Sequence, residues 1–160
     1  IKNEARELWV IGTALIVLAI FLYLAERLSP RNRDIKQLSF LQIQLIGLTQ
    51  ALALIPGCSR SGSTIMGGLM VGLNREAAAR FSFLLGLPAI FGSGLYELKE
   101  LIELGISSDG YLNLAVGISA AFVTGYLSIE LLLRFLRNHG TLVFVIYRIV
   151  IGTGILLFLV

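Results

Sequence analysis

Ile55-Pro56-Gly57-Cys58-Ser59-Arg60-Ser61-Gly62-Ser63-Thr64 interrupts an otherwise apolar stretch, Gln37 to Asn74, whose single charge is Arg60. Pro56 removes a backbone donor and breaks a helix, and Gly57 frees the backbone to turn. The arm that follows has only about 14 residues, roughly 20 Å of helix. That is enough to enter a bilayer core of about 30 Å and too little to cross it. Residues 38–74 are therefore predicted to form a re-entrant helix-loop-helix that enters and leaves on one side. A pair of unusually short spanning helices, or one kinked span, is the alternative.

The sequence on either side supports a membrane setting. Of the 160 residues 56% are hydrophobic and 14% charged, far outside the range of soluble globular domains. The charge-free runs Leu8 to Ala25, Phe81 to Tyr96 and Gly110 to Ile129 approach the length of a spanning helix, and Thr141 to Val160, interrupted by Arg148, would make a fourth. None alternates in polarity as a membrane β-strand would. The expected fold is all-α: four transmembrane helices and one re-entrant hairpin in a single membrane domain, 1–160. The segment Ile1 to Glu7 lacks the basic start and cleavage site of a signal peptide, and sequence is expected upstream of it.

Charge supplies an independent argument for the hairpin. Arg27, Arg31, Arg33 and Lys36 follow the first run, Arg75 and Arg80 precede the second, and Arg134 and Arg137 follow the third. Such clusters favour the cytoplasmic side. A single crossing between Gln37 and Asn74 would put Arg75 and Arg80 opposite the first cluster, whereas a hairpin returns all eight to one face. Lys2, Arg6 and Lys99 share segments with Glu4, Glu7, Glu97, Glu100, Glu103 and Asp109, which suit the outer side. The net charge of +3 is explained by these loops and leaves no nucleic-acid footprint.

Polar residues in a turn at membrane depth need a cavity, because an unsatisfied amide in lipid costs several kcal/mol. A helix starting near Ser61 would direct its free N–H groups and positive dipole end into that cavity, which binds anions. Arg60 adds a permanently charged fork that can grip two phosphate oxygens. Ser59, Ser61, Ser63 and Thr64 add hydroxyls, and Thr64 falls on the same helical face as Arg60 if the helix begins early. Gly57 and Gly62 belong to the same turn; Gly67, Gly68 and Gly72 are better explained by close helix packing.

Other motifs fit poorly. Gly57-x4-Gly62-Ser63-Thr64 mimics a nucleotide-binding P-loop but carries Ser63 in place of lysine. A cysteine-based phosphatase loop needs arginine six residues after the cysteine, and Thr64 stands there, so Cys58 is expected to be a small core residue. As the one cysteine, Cys58 also excludes an intramolecular disulfide and a cysteine-clustered metal site. His139 belongs to a basic turn, Glu130 stands alone near an interface, and Arg148 either bonds helix-end carbonyls or lines the cavity.

The stretch Gln50 to Thr64 resembles the Pro-Gly-x-Ser-Arg-Ser-Gly-x-Thr signature of bacterial undecaprenyl-diphosphatases of the bacitracin-resistance type. The likeness continues through Arg80-Phe81-Ser82-Phe83-Leu84-Leu85 with Pro88 to Tyr147-Arg148. The resemblance implies hydrolysis of undecaprenyl diphosphate to the monophosphate carrier lipid of peptidoglycan synthesis. It implies a multi-pass enzyme of the bacterial inner membrane whose site opens to the periplasm, with Mg or Ca as a divalent cation. The implied fold is an inverted repeat of six spanning helices and two re-entrant hairpins.

Family members also carry an amino-terminal half with the motif Glu-Gly-x-Thr-Glu-Phe-Leu-Pro-x-Ser-Ser-Thr-Gly-His, which this chain lacks. Gly47-Leu48-Thr49-Gln50 looks like a degenerate copy, with Gln50 where a catalytic Glu would stand. On this resemblance Arg60 and Ser59 are the catalytic candidates, and Gly57, Ser59, Arg60, Ser61, Gly62 and Thr64 hold phosphate. Gln50 and Arg148 are candidates for the cavity wall, and no metal ligand is expected in this chain. The missing half would supply the nucleophile or its base. Partners are the lipid diphosphate, the bilayer, that half and a second copy of the chain; nucleic acid is not among them. A polyprenyl-phosphate carrier acting without hydrolysis is the rival from another class, and a purely structural membrane subunit is the third.

Overall fold

The computed structural model describes residues 8–105 and 108–159. The expected outer-side charges Lys2, Glu4, Arg6 and Glu7, the Asp109 side chain and Val160 lie outside what it describes. Among the described residues every named element is helical: α1 (Leu8–Leu28), α2 (Phe40–Gln50), α3 (Arg60–Met70), α4 (Arg75–Leu104), α5 (Ser108–Asn138) and α6 (Leu142–Phe158).

Three helices are long and apolar enough to cross a membrane: Leu8–Leu28, Arg75–Glu103 and Gly110–Asn138. The expected fourth, α6, has 17 residues, about 26 Å of helix. α4 runs well past the predicted Phe81 to Tyr96, because Asn74 caps its start through Ala77 N (2.8 Å) and Lys99 pairs with Glu103 across its last turn. It stops at Gly105, whose φ of +77° ends the helix.

The middle stretch is a hairpin of two short arms. Ser39 starts α2 with a capping box completed by Gln42, and a 3-10 turn over Ala51–Leu54 extends it. Each helical arm has 11 residues, about 16 Å. Its two ends meet: Arg33 N donates to the Gly72 carbonyl (3.1 Å), and Asn74 N donates to the Arg33 carbonyl (2.9 Å). The hairpin therefore begins and ends at the same end of the bundle.

That end is also where the basic residues gather. The buried Glu26 carboxylate, in the last turn of α1, accepts from Arg75 Nε (2.5 Å) on α4 and from Thr141 N (2.8 Å) before α6. It also binds the Thr141 hydroxyl, and Arg31 lies 3.9 Å away. Arg137, closing α5, grips Glu76 at both oxygens (2.8 and 2.6 Å). Bidentate pairing of this kind fixes orientation as well as distance.

α1 and α6 run antiparallel in close contact, because a Cβ on Gly12 would sit 3.1 Å from the Gly152 carbonyl, and one on Gly152 2.8 Å from the Gly12 carbonyl. Leu18, Leu22, Ile46, Met66, Leu69 and Ala78 form the core between α1, the hairpin and the start of α4. Beyond it, from Leu87 on α4 to Ile129 on α5, nearly every described side chain is exposed. An apolar surface of that extent belongs against lipid or further protein. The chain is a multi-pass, all-α membrane protein.

Candidate functional site

α3 begins at Arg60, one residue earlier than expected, because Ser59 caps it: its Oγ accepts from Gly62 N (3.1 Å), and its carbonyl accepts from Ser63 N (2.9 Å). The amides of Arg60 and Ser61 are left without a hydrogen bond among the described residues. They form the positive end of the helix dipole.

The turn before them is held against α1. Gly57 has φ +93°, and a Cβ there would lie 2.6 Å from the Ile11 carbonyl and 3.1 Å from Ala14 Cβ. Glycine is required on both counts. Ile11 and Ala14 are 17 and 14 residues from the basic end of α1 at Leu28, so the tip lies roughly 20–25 Å from that end.

The expected site residues converge here, but on two sides. The Arg60 guanidinium is exposed, lies over α4 beside Gly86 (a Cβ there would be 3.4 Å from Nη2), and makes no hydrogen bond or ion pair among the described residues. It opens on a cleft of about 470 Å³ shared with Gly47, Gln50 and Cys58. Ser59, Ser61, Gly62 and Arg148 instead line a cavity of about 290 Å³ whose walls are mainly apolar, Leu15, Ile65 and Phe144 among them. Ser59 and Ser61 hydroxyls lie 3.2 Å apart at its rim.

Thr64 faces neither space. It is fully buried, and its hydroxyl donates to the Arg60 carbonyl (2.8 Å) and lies 3.4 Å from Gln50 Oε1. Bonding back to the carbonyl four residues earlier is a common recourse for threonine in a helix, and here it also joins the ends of the two hairpin arms. Ser63 is likewise buried, its hydroxyl unpartnered among the described residues.

Arg148 walls the cavity and also binds carbonyls, those of the turn and of the middle of α1 rather than of a helix end. Buried in α6, it donates from Nη2 to the Gly57 carbonyl (2.9 Å) and from Nε to the Leu15 carbonyl (3.5 Å), and it walls the apolar cavity. It thus ties the broken backbone of the turn to α1 and α6.

Two residues that sequence reasoning passed over matter here. The Arg60 guanidinium lies against Gly86, at ordinary contact distance from a built Cβ, and Glu26 locks three helices together; the visible signal for Glu26 was a carboxylate at the start of a run of arginines. Glu130 pairs with Arg134 (2.6 Å), and His139 stacks on Phe135 at 4.6 Å. No group of three His, Cys, Asp or Glu side chains comes together among the described residues. The turn offers two guanidiniums, hydroxyls and an amide, a donor set that does not fit a divalent cation.

A polytopic helical membrane protein with an arginine at a capped helix start inside a broken hairpin is the class these features define. Residues 1–154 match the family described as bacitracin resistance protein BacA, and the chain belongs to that family. It is similar to the undecaprenyl-diphosphatase of Chlorobium phaeobacteroides (strain BS1), 48% identical over 98% of this chain and 58% of that protein. The undecaprenyl-diphosphatase of Synechococcus elongatus is 50% identical over 97% of this chain and 54% of its own length, and that of Mycobacterium leprae (strain Br4923) 46% identical over 99% and 57%. The chain spans about half the length of the curated relatives it matches.

Proposed function

We propose that this chain is the phosphate-holding part of an undecaprenyl-diphosphate phosphatase, which releases inorganic phosphate and leaves undecaprenyl phosphate for peptidoglycan synthesis. The observation that carries the reading is the start of α3, where among the described residues the Arg60 guanidinium has no hydrogen-bond or ion-pair partner on one side of the turn and the Arg60 and Ser61 amides have none at the helix end. A diphosphate there meets one permanent charge and a helix dipole, both already in place as negative charge develops on the transferring phosphoryl group. Names of relatives, all undecaprenyl-diphosphatases, support the substrate.

In the bilayer the hairpin is re-entrant, entering and leaving on the cytoplasmic side of the bacterial inner membrane, with its tip nearer the periplasm, where the site opens. Support comes from the Arg33 closure and from the depth of Gly57 along α1. This chain alone does not activate Ser59 as a nucleophile, since its hydroxyl already serves Gly62 N and Ser61 and no base stands beside it among the described residues. The nucleophile or its base, and the ligands of any Mg or Ca, belong to the amino-terminal half, which together with a second copy of the protein completes the list of proposed protein partners.

Phosphate release from undecaprenyl diphosphate in detergent tests this directly. The full-length protein should be active, this chain alone inactive, and full-length Arg60→Ala slower by roughly 10²–10³. Full activity in Arg60→Ala would refute the assignment, and lipid movement without phosphate release would put a carrier in its place.

A further inference from the structure

Away from the broken hairpin, a pocket of about 570 Å³ opens at the basic end of the bundle, lined by Pro30, Arg31, Asn74, Arg75, Glu76 and Arg137 over Leu136. It gathers three guanidiniums from three separate places: the loop after α1, the start of α4 and the end of α5. The carboxylates that accompany them orient the arginines without exhausting them. Glu26 takes Nε of Arg75, and Glu76 takes Nε and Nη2 of Arg137. Both terminal nitrogens of Arg75 and Nη1 of Arg137 make no hydrogen bond among the described residues. Among the described residues the Arg31 guanidinium is held by the 3.9 Å contact with Glu26 alone. With Glu26 counted, three positive charges face two negative ones, and the N-terminal dipole of α4 adds to the excess.

Arg31 has a second distinction. It is the one non-glycine residue among those described with a positive φ, at 51°. That conformation suits glycine, and a side chain there is strained. The strained backbone delivers an arginine to the pocket that no strong partner claims. Strain retained in this way clusters at binding positions.

The pocket sits where α1 and α5 end and α4 begins, at the level of lipid headgroups if these helices cross the bilayer, and Leu28, 82% exposed, stands two residues before Pro30. An anion arriving there brings an apolar body in the same plane. We propose that this arginine pocket binds the phosphate headgroup of an anionic phospholipid in the leaflet it faces, separately from the site at Arg60. Basic pockets between membrane helices on the cytoplasmic side recognise such headgroups, and the planar, preoriented guanidiniums suit phosphate oxygens.

Native mass spectrometry of the full-length protein, taken from mixed phosphatidylglycerol and phosphatidylcholine vesicles, tests the assignment. Phosphatidylglycerol should be retained preferentially, and Arg31→Gly should lower that preference roughly five- to tenfold. Because glycine relieves the strained backbone, the thermal midpoint of Arg31→Gly in phosphatidylcholine alone should not fall. Arg137→Gln, which keeps a donor for Glu76, should weaken retention similarly, and Arg60→Ala should leave it unchanged. Unaltered preference in both pocket variants, loss in Arg60→Ala, or displacement of the lipid by inorganic phosphate would each overturn the proposal, the last in favour of a soluble-phosphate site.

Discussion

Gly57 is the residue on which the turn depends most sharply. Its φ of +93° and the 2.6 Å separation between a built Cβ and the Ile11 carbonyl act together. Strained backbone and a backbone clash predict that Gly57→Ala costs about 2–3 kcal/mol, read as a lower thermal midpoint of the full-length protein in detergent. A midpoint within experimental scatter of the parent would contradict the tight seating of the turn on α1. The sequence already marked Pro56-Gly57 as a break and placed a helix start near Ser61, within one residue of Arg60, because those signals are local. It did not reveal that Arg148 bonds the Gly57 carbonyl 91 positions away, since only the antiparallel approach of α6 to α1 brings them together. Thr64 illustrates the opposite limit: spacing placed it on the Arg60 face, but its hydroxyl found the nearer Arg60 carbonyl and Gln50.

Among elements, the hairpin is a packed pair rather than two independent arms. A Cβ on Gly67 of α3 would overlap the Thr49 hydroxyl of α2 and lie 3.0 Å from its Cγ2. Gly67→Ala should therefore destabilise by about 1–3 kcal/mol, and adding Thr49→Ala should recover much of the loss. A thermal double-mutant cycle checks this; simple additivity would mean the two helices do not meet there. The packing reading of Gly67 was legible from the run of glycines, whereas its partner was not. Helix lengths were less legible still: the apolar run closes at Tyr96, yet the charged tail Glu97 to Glu103 continues α4 because neighbouring charges at four-residue spacing support a helix.

For the whole molecule, the decisive question is which residues share a side. With Cys58 replaced by Ala, single cysteines at Asn32, Arg80 and Asn138 should react with a membrane-impermeant thiol reagent from one side, and one at Lys99 from the other. Labelling of Asn32 and Arg80 from opposite sides would mean that the hairpin crosses the bilayer. Charge pattern predicts a common side, and the Arg33 contacts with Gly72 and Asn74 bring the two ends of the hairpin to one end of the bundle. What charge pattern could not supply is the division of the turn into two spaces, Arg60 and Gln50 on one and Ser59, Ser61 and Arg148 on the other. That division depends on the rotation of α3 between α1, α4 and α6, which no local signal encodes.

The bond from Arg148 to the Gly57 carbonyl also sets a clock. At roughly 5–20 residues per second of synthesis, the arginine follows the glycine out of the ribosome by about 5–20 s. Through that interval the tip of the hairpin has α1 to lean on but lacks its brace, so the turn before Arg60 should be among the last features of this chain to settle. Cys58, partly buried beside the turn, is a built-in reporter: nascent chains arrested before α6 should react with thiol reagents faster than chains extended past α6. Equal reactivity at both lengths would show that the turn settles without its brace.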